Sequence, residues 1–346
     1  MSDAKPARPA TGSDVARIAG VSQATVSLVV TGKSAGRISD EQRDHVLKVA
    51  RGLQYQPNAS ARSLRLGRAH TIALIVPNVA NPYFASVLLG AERAARERKH
   101  AVMLLDTGSD PDWPAWVGEI LATRAVDGCI VYAADPVSAR QVRVLGRHVV
   151  LVEAATRGAG SVQLDIAGGI RLAMSHLLEL GHRRIAHISV DVDQETFRLR
   201  DATYRSCLVE AGIAVWAKYV VRAWFDIEAT TAAARRLLAL DPRPTAILCD
   251  DDLQAAGVYK AAAALGLRIP GDLSVVGFDD IELARMLEPE LTTVAIPAEE
   301  VGARAVEMVL GLVDGGAAQS VTMPLALRVR GSSGPPARAQ ARVSLR

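Results

Sequence analysis

The first residues whose types and spacing suggest chemistry lie close to the N-terminus. Asp14-Val-Ala-Arg-Ile-Ala-Gly-Val-Ser-Gln-Ala-Thr-Val-Ser-Leu-Val-Val30 reads as two apolar-faced helices joined by Ala19-Gly20-Val21-Ser22. Gly20 permits a tight turn, Val21 plugs the angle between the helices, and Ser22 caps the second one. Val15, Ile18, Val26 and Val29 are spaced to bury one face. Gln23, Ala24, Thr25, Ser27 and Leu28 are left near the exposed N-terminal half of the second helix, where side chains can meet base edges in a major groove. A second set of polar residues follows apolar runs further along. Asp251 in Cys249-Asp-Asp-Asp252 and Asp279 in Val275-Val-Gly-Phe-Asp-Asp280 each lie just past a strand-like segment. Carboxylates there accept hydrogen bonds from hydroxyl groups or cap the next helix. Asn81-Pro-Tyr-Phe84 follows another such run, where a cleft-lining loop should fall, although Pro-turn chemistry alone also explains it.

The elements that must position these residues change character along the chain. Residues 13 to 55 read as short helices, with Asp14 to Ala19, Gln23 to Val30 and Asp40 to Leu53, and Ser39 with Gln42 forms a capping box for the third. Asn58 to Gly67 is a short basic segment bounded by Pro and Gly, a linker with latent helicity. From Thr71, buried β-branched runs alternate with amphipathic helical stretches: Thr71 to Val76, Ala101 to Leu105, Gly128 to Tyr132, His148 to Val152, Ile185 to Val190, Ala246 to Cys249 and Leu273 to Phe278. Such alternation implies parallel sheets with helices on both faces, and so many units imply two lobes with a cleft between them. In open α/β sheets the ligand sits beyond the carboxyl ends of the strands.

Charge and composition narrow the classes. The net charge of +3 hides an asymmetry: residues 1–70 hold 11 Lys and Arg against 5 Asp and Glu, the remainder 29 against 32. A positive N-terminal segment points to phosphates as its partner. The N-terminus has no apolar run of the kind a secretory signal needs and no later segment is suited to span a bilayer, so a cytoplasmic protein without a membrane partner is expected. Cys129, Cys207 and Cys249 lie in apolar settings without ligand spacing, so they read as reduced packing residues, with no metal and no cofactor expected.

Through Asp14-Val-Ala, Ala19-Gly-Val-Ser, Thr25-Val-Ser and Tyr55-x-Pro-Asn58, the chain resembles the lactose-repressor (LacI/GalR) family, a resemblance that runs to about residue 331. It implies an α/β protein: an all-helical helix-turn-helix headpiece plus a two-lobed, periplasmic-binding-protein-like body of doubly wound parallel sheets. The expected layout is a disordered arm over 1–12, the DNA-binding domain over 13–57, a hinge helix over 58–67, a body over 71–331 and a disordered tail over 332–346. Lobe one should hold about 71–163 plus 296–319, and lobe two about 164–291 plus 320–331. By the same resemblance Asn58, Arg62 and Leu64 belong to a hinge that becomes helical on operator DNA, with Leu64 wedged between base pairs of the minor groove. The family often has Arg where this chain has Leu28, which offers only apolar contact, so Gln23 is the better hydrogen-bonding reader. In the body the resemblance gives Phe84 a stacking role and Arg200 a grip on an effector hydroxyl or carboxylate. It places Asp165, Phe225, Asp251 and Asp279 at matching positions; Asp251 stands where Asn is frequent, which favours an amine-bearing or more hydroxylated effector. A solvated helix Arg at 200, and hinge or core packing at 165 and 225, remain open.

The function so implied is a homodimeric, sequence-specific transcriptional regulator, a repressor, that binds double-stranded operator DNA under control of a carbohydrate-like effector. Four rivals fare worse. Asp250, Asp251 and Asp252 could hold a metal for phosphoryl transfer, but no Gly-rich phosphate cradle accompanies them. Gly32-Lys-Ser-Ala-Gly36 matches a nucleophile-elbow pattern in letters, yet no strand precedes it. Gly181-His182-Arg183-Arg184 follows a helix and is better explained by C-capping than by catalysis. A transport-type solute-binding protein would need export and would not carry the basic headpiece.

Overall fold

The computed structural model describes residues 10–32, 34–55, 68–108, 110, 112–123, 125–132 and 145–337. They divide into two compact units, residues 1–69 and 70–346.

The first unit packs three helices, α1 (Gly12–Ala19), α2 (Gln23–Val30) and α3 (Asp40–Gly52), around Val15, Val26, Val29, Val46 and Ala50. Helix α1 starts earlier than expected, because Thr11 forms a reciprocal capping box with Asp14: the Asp14 carboxylate accepts the Thr11 N–H at 3.0 Å, and the Thr11 hydroxyl accepts the Asp14 N–H. Thr11 and Gly12, expected in the arm over 1–12, therefore belong to the start of α1. Gly20 closes α1 in the left-handed conformation (φ 65°), the Ser22 hydroxyl accepts the Thr25 N–H at 3.1 Å, and Ser39 caps α3 through Gln42. One expected core residue is displaced: Ile18 is 49% exposed, while Ala16 and Ala19 are buried. At about 100° per residue, Ile18 lies roughly 100° around α1 from the middle of the Val15, Ala16, Ala19 stripe. Gly32 and Gly36 both have φ 71° in the turns that follow α2, so the serine between them sits in a loop and not on an elbow.

The second unit contains two six-stranded sheets. Its elements are β1 (Thr71–Val76), α4 (Pro82–Glu97), β2 (Ala101–Asp106), α5 (Trp113–Ala122), β3 (Gly128–Tyr132), β4 (Val149–Val152), β5 (Gly160–Leu164), α6 (Ile166–Glu179), β6 (Ile185–Val190), α7 (Glu195–Glu210), β7 (Val220–Ala223) and α8 (Ile227–Leu238). They continue with β8 (Ala246–Cys249), α9 (Asp252–Ala264), β9 (Ser274–Asp279), α10 (Leu283–Met286), β10 (Thr292–Ala295), α11 (Ala298–Val313), β11 (Ser320–Met323) and β12 (Ala326–Arg328). The sheet orders are β11-β5-β4-β3-β1-β2 and β12-β10-β9-β8-β6-β7. Every pairing is parallel except β10 with β12. The order reverses at the β1–β3 and β6–β8 gaps, which are the switch points where such sheets bind ligands.

Strand pairing moves the expected lobe boundaries. β10 belongs to the second sheet, so that lobe extends past 291, and β11 pairs with β5 in the first sheet (Val321 opposite Val162) while β12 returns to the second. The last crossing thus falls after Met323, not at 320, and the short edge strands that decide this carry too few apolar residues to be read from pattern. The tail is also corrected at its start. Ser332 is fully buried: its hydroxyl accepts the Thr292 N–H at 2.8 Å and donates to the Val275 carbonyl at 2.6 Å. Gly334 bonds through both its backbone groups to Ser274 and His182. Residues 332–334 look like loop by composition, but they satisfy polar groups at the edge of the second sheet. Gly181 (φ 97°) ends α6 as its sequence suggests, and His182 turns inward to hold this strap.

The helices α4 and α11 cover one face of the first sheet at very close range. A Cβ on Gly90 would lie 1.9 Å from the Glu299 carbonyl oxygen, and one on Gly302 would lie 2.0 Å from that of Val87. Only glycine allows these backbones to approach so closely. The three cysteines are buried in the packing, and no helix among the described residues is long and apolar enough to cross a membrane.

Candidate DNA-reading face and ligand cavity

The headpiece presents the N-terminal end of α2. Gln23 and Ala24 are exposed, and Thr25, Ser27 and Leu28 are half-buried, while Val26 and Val29 turn inward. The five residues picked from the sequence therefore flank the buried stripe on one short helix. Two are engaged locally: the Gln23 amide donates to the Ser13 hydroxyl of α1, and the Thr25 hydroxyl lies 2.9 Å from that of Ser22. Asn58, Arg62 and Leu64 lie outside the described residues.

In the body, a cavity of about 380 Å³ opens at the carboxyl ends of both sheets. Strand ends of both sheets contribute: Asn78 and Asn81 follow β1, Tyr132 ends β3, Glu153 follows β4, Trp224 and Phe225 follow β7, Asp250 and Asp251 follow β8, and Asp279 ends β9. All four phenylalanines of the chain collect here. Phe84, Phe197 and Phe225 line the space, and Phe278 lies under the Arg200 guanidinium, 3.8 Å from ring centroid to Cζ. Phe84 stands edge-on to Tyr132 at 5.1 Å, and Phe225 meets Phe197 at 5.9 Å and Trp224 at 5.5 Å. Both lobes therefore offer aromatic walls, which suit the apolar face of a ring.

Arg200 is 4% exposed and projects from α7; its Nη1 donates to the Asp250 carbonyl, while its Nε has no partner. Besides Asp250, three carboxyl-bearing residues share the cavity with it. Asp251 caps α9 through the N–H groups of Leu253 and Gln254 and accepts the Asn81 amide at 3.3 Å. Asp279 and Glu153 both sit on left-handed backbone, at φ 110° and 63°. Such conformations are costly for residues with a Cβ and recur where a side chain is held for function. Burial pushes all three carboxyls up from the usual carboxylate range; the neighbouring Asp251 charge adds to this at Asp279, and Arg200 opposes it throughout.

Beneath the cavity lies an ion network. His187 in β6 is fully buried, with Nε2 at 2.8 Å from Asp250 and Nδ1 at 3.6 Å from Asp201, the residue next to Arg200. Burial alone would drive its pKa down, but the two aspartates outweigh it and bring it up to about 9. Asp250 also accepts the Val190 N–H at 3.1 Å. The imidazolium thus ties α7 to the ends of β6 and β8, fixing the carbonyl on which Arg200 rests.

Phe84, Arg200, Phe225, Asp251 and Asp279, picked from the sequence, meet in this cavity. Asp165 does not: it is exposed, and its carboxylate accepts the Gly168 N–H at 2.9 Å as the N-cap of α6. Sequence reading missed Glu153 and His187. Glu153 directly follows the apolar run 148–152, the same signal that singled out Asp251 and Asp279. His187 interrupts a buried, mostly apolar strand, a position that demands partners.

Comparison with known proteins agrees with both halves. Residues 12–58 match the family described as bacterial regulatory proteins, lacI family, and residues 174–333 match the periplasmic binding protein-like domain. The ribose operon repressor of Haemophilus influenzae is 35% identical over 304 residues, covering 87% of this chain and 91% of that protein. The crystal structure of the lac repressor dimer bound to operator and the anti-inducer ONPF superposes with a TM-score of 0.82 at 26% identity, covering 94% of this chain and all of that one. A LacI family regulator from Enterococcus faecium with bound ribose gives a TM-score of 0.68 at 25% identity, over 77% of this chain and 99% of that one. The chain belongs to the LacI family of bacterial regulatory proteins, in which a DNA-binding helix-turn-helix domain precedes a periplasmic binding protein-like domain.

Proposed function

We propose that this protein is a cytoplasmic transcriptional repressor and not an enzyme, and that a homodimer reads a two-fold operator in response to a saccharide-like effector. Two-fold protein symmetry calls for a near-palindromic site. The observation that carries the reading is a cavity walled by aromatic rings and lined with Arg200 and carboxyl groups, in the same chain as a helix-turn-helix unit. Aromatic faces with a few converging donors and acceptors are the chemistry of a sugar ring. The ribose seen in the Enterococcus relative, and the ribose operon named for the Haemophilus relative, point the same way.

In this mechanism Gln23, Ala24, Thr25, Ser27 and Leu28 face base edges, and Asn58, Arg62 and Leu64 form a hinge that orders on the operator. Effector binding between the lobes changes hinge order and DNA affinity together, and linkage requires operator DNA to change effector affinity by the same factor. The test is salt-dependent retardation of a promoter fragment from beside the gene, with D-ribose and other pentoses and hexoses titrated in. Arg200→Ala should retain retardation and lose the sugar response. Absence of salt-sensitive binding to any such fragment would refute the repressor reading, and an unchanged sugar response in Arg200→Ala would remove Arg200 from the site.

A further inference from the structure

We propose that the cavity takes a polyhydroxylated ligand bearing an amine, with the ammonium placed among Glu153, Asp251 and Asp279 and ligand oxygens placed on Arg200. The inference rests on the small-molecule reading above and narrows its chemistry.

The argument begins with which acids already have a partner. Asp250 is neutralised by His187 at 2.8 Å, and Asp280 pairs with Arg330. Asp252 points away from the cavity, accepting the Thr293 hydroxyl at 2.6 Å and the Ile281 N–H at 2.9 Å. Glu153, Asp251 and Asp279 remain, all lining the cavity, with Arg200 as the one cation beside them among the described residues. Asp279 is 9% exposed, and among the described residues its carboxylate receives no hydrogen bond. The bonds to Asp251 come from two backbone N–H groups and the neutral Asn81 amide, so among the described residues no cation hydrogen-bonds to it. Arg200 is spent on a carbonyl and a phenyl face and still has a free Nε.

Three carboxyl groups thus converge with one guanidinium on a site largely removed from water. An anionic ligand, such as a sugar acid or sugar phosphate, would add a like charge to that excess. A neutral sugar would leave the excess uncompensated, so its acids would have to stay protonated. An ammonium supplies the missing charge and three donors, and the hydrogen bonds it makes to carboxylates are the stronger, charge-assisted kind. Burial is the largest cause of the raised carboxyl pKa values and Arg200 opposes it at all three, so a further cation beside these acids would favour their ionised forms. The left-handed backbones at Glu153 and Asp279 bring two of these acids in from opposite lobes, so a ligand held by both bridges the cleft.

The test uses the full-length protein and matched sets of probes at pH 7: glucose, glucosamine and glucuronate; galactose, galactosamine and galacturonate; mannose and mannosamine; and D-ribose. Binding is read by thermal shift and titration calorimetry. The amine should bind about tenfold or more tightly than its neutral partner in any set that binds, and the uronates should not bind. Asp251→Asn, which keeps the helix cap, should reduce that preference to about threefold or less. A neutral or anionic member binding most tightly overturns the proposal, as does a shift from D-ribose alone, and either result leaves the saccharide reading intact. If no probe shifts the melt, this inference and the saccharide reading both fall, while DNA retardation still judges the headpiece independently.

Discussion

Replacing His187 by Gln tests whether the buried imidazolium organises the effector lobe. The substitution removes a cation sitting 2.8 Å from Asp250, whose side chain is fully buried and would keep the Val190 N–H at 3.1 Å and at most a neutral amide in place of the imidazolium. Breaking a buried pair from one side costs about 3–5 kcal/mol, because the surviving charge is left uncompensated. The pH dependence carries an independent signature. His187 is raised from an ordinary 6.5 to about 9, so its stabilisation is fully present below 6.5 and is lost as pH rises through 9. At about 1.4 kcal/mol per pH unit, this amounts to about 3 kcal/mol. Asp201 works in the opposite direction: held down to about 2, it contributes above its ordinary value and loses that contribution as pH falls through 2. All four tryptophans lie in the second unit, so urea unfolding followed by tryptophan fluorescence reports the body and not the headpiece. Subtracting the variant from the parent isolates His187 from the other histidines. The gap should be about 3–5 kcal/mol at pH 6.5 and should shrink by about 3 kcal/mol by pH 9.5. A gap under 1 kcal/mol at pH 6.5, or one that stays constant to pH 9.5, would refute the charged-histidine account.

Three further outcomes are expected. Gly90→Ala, although it improves helix propensity by about 1 kcal/mol, should destabilise the body by about 2 kcal/mol or more, since its Cβ would press on the Glu299 carbonyl at 1.9 Å; a raised melting temperature would show that the helices part without cost. Ser332→Ala removes the hydroxyl that links Thr292 to Val275 and should cost about 1–3 kcal/mol in the same urea titration; an unchanged midpoint would mean the strap contributes nothing. Ser22→Ala deletes the cap of α2 and should destabilise the headpiece by about 1 kcal/mol, weakening retardation of promoter DNA while the body's fluorescence melt stays where it was.

The sequence alone determined the elements whose residues carry their own instructions. Strands β1, β3, β6 and β8 match their expected runs residue for residue, because a strand buried on both faces reads as a near-continuous apolar run, broken in β6 only by His187 and Ser189. The headpiece was legible for a similar reason: Gly20 and Ser22 specify the turn and cap by local chemistry, independent of distant partners. Residues that follow such strands, Asp251 and Asp279 among them, could be placed at the cleft because strand ends define where ligands bind.

Tertiary structure decided what depends on residues far apart in the chain. Whether residues 320–323 joined the first or second sheet turned on pairing with β5, more than 150 residues earlier, and a four-residue edge strand carries no pattern that names its neighbour. Ser332 became core because Thr292 and Val275 needed partners. The balance of charge in the cavity is also a tertiary fact. Asp250, Asp251 and Asp252 are adjacent in sequence and alike in type, yet one meets a buried histidine, one faces the ligand space and one is tied to Thr293. Side-chain direction at the end of a strand, set by the packing around it, assigns the three different roles.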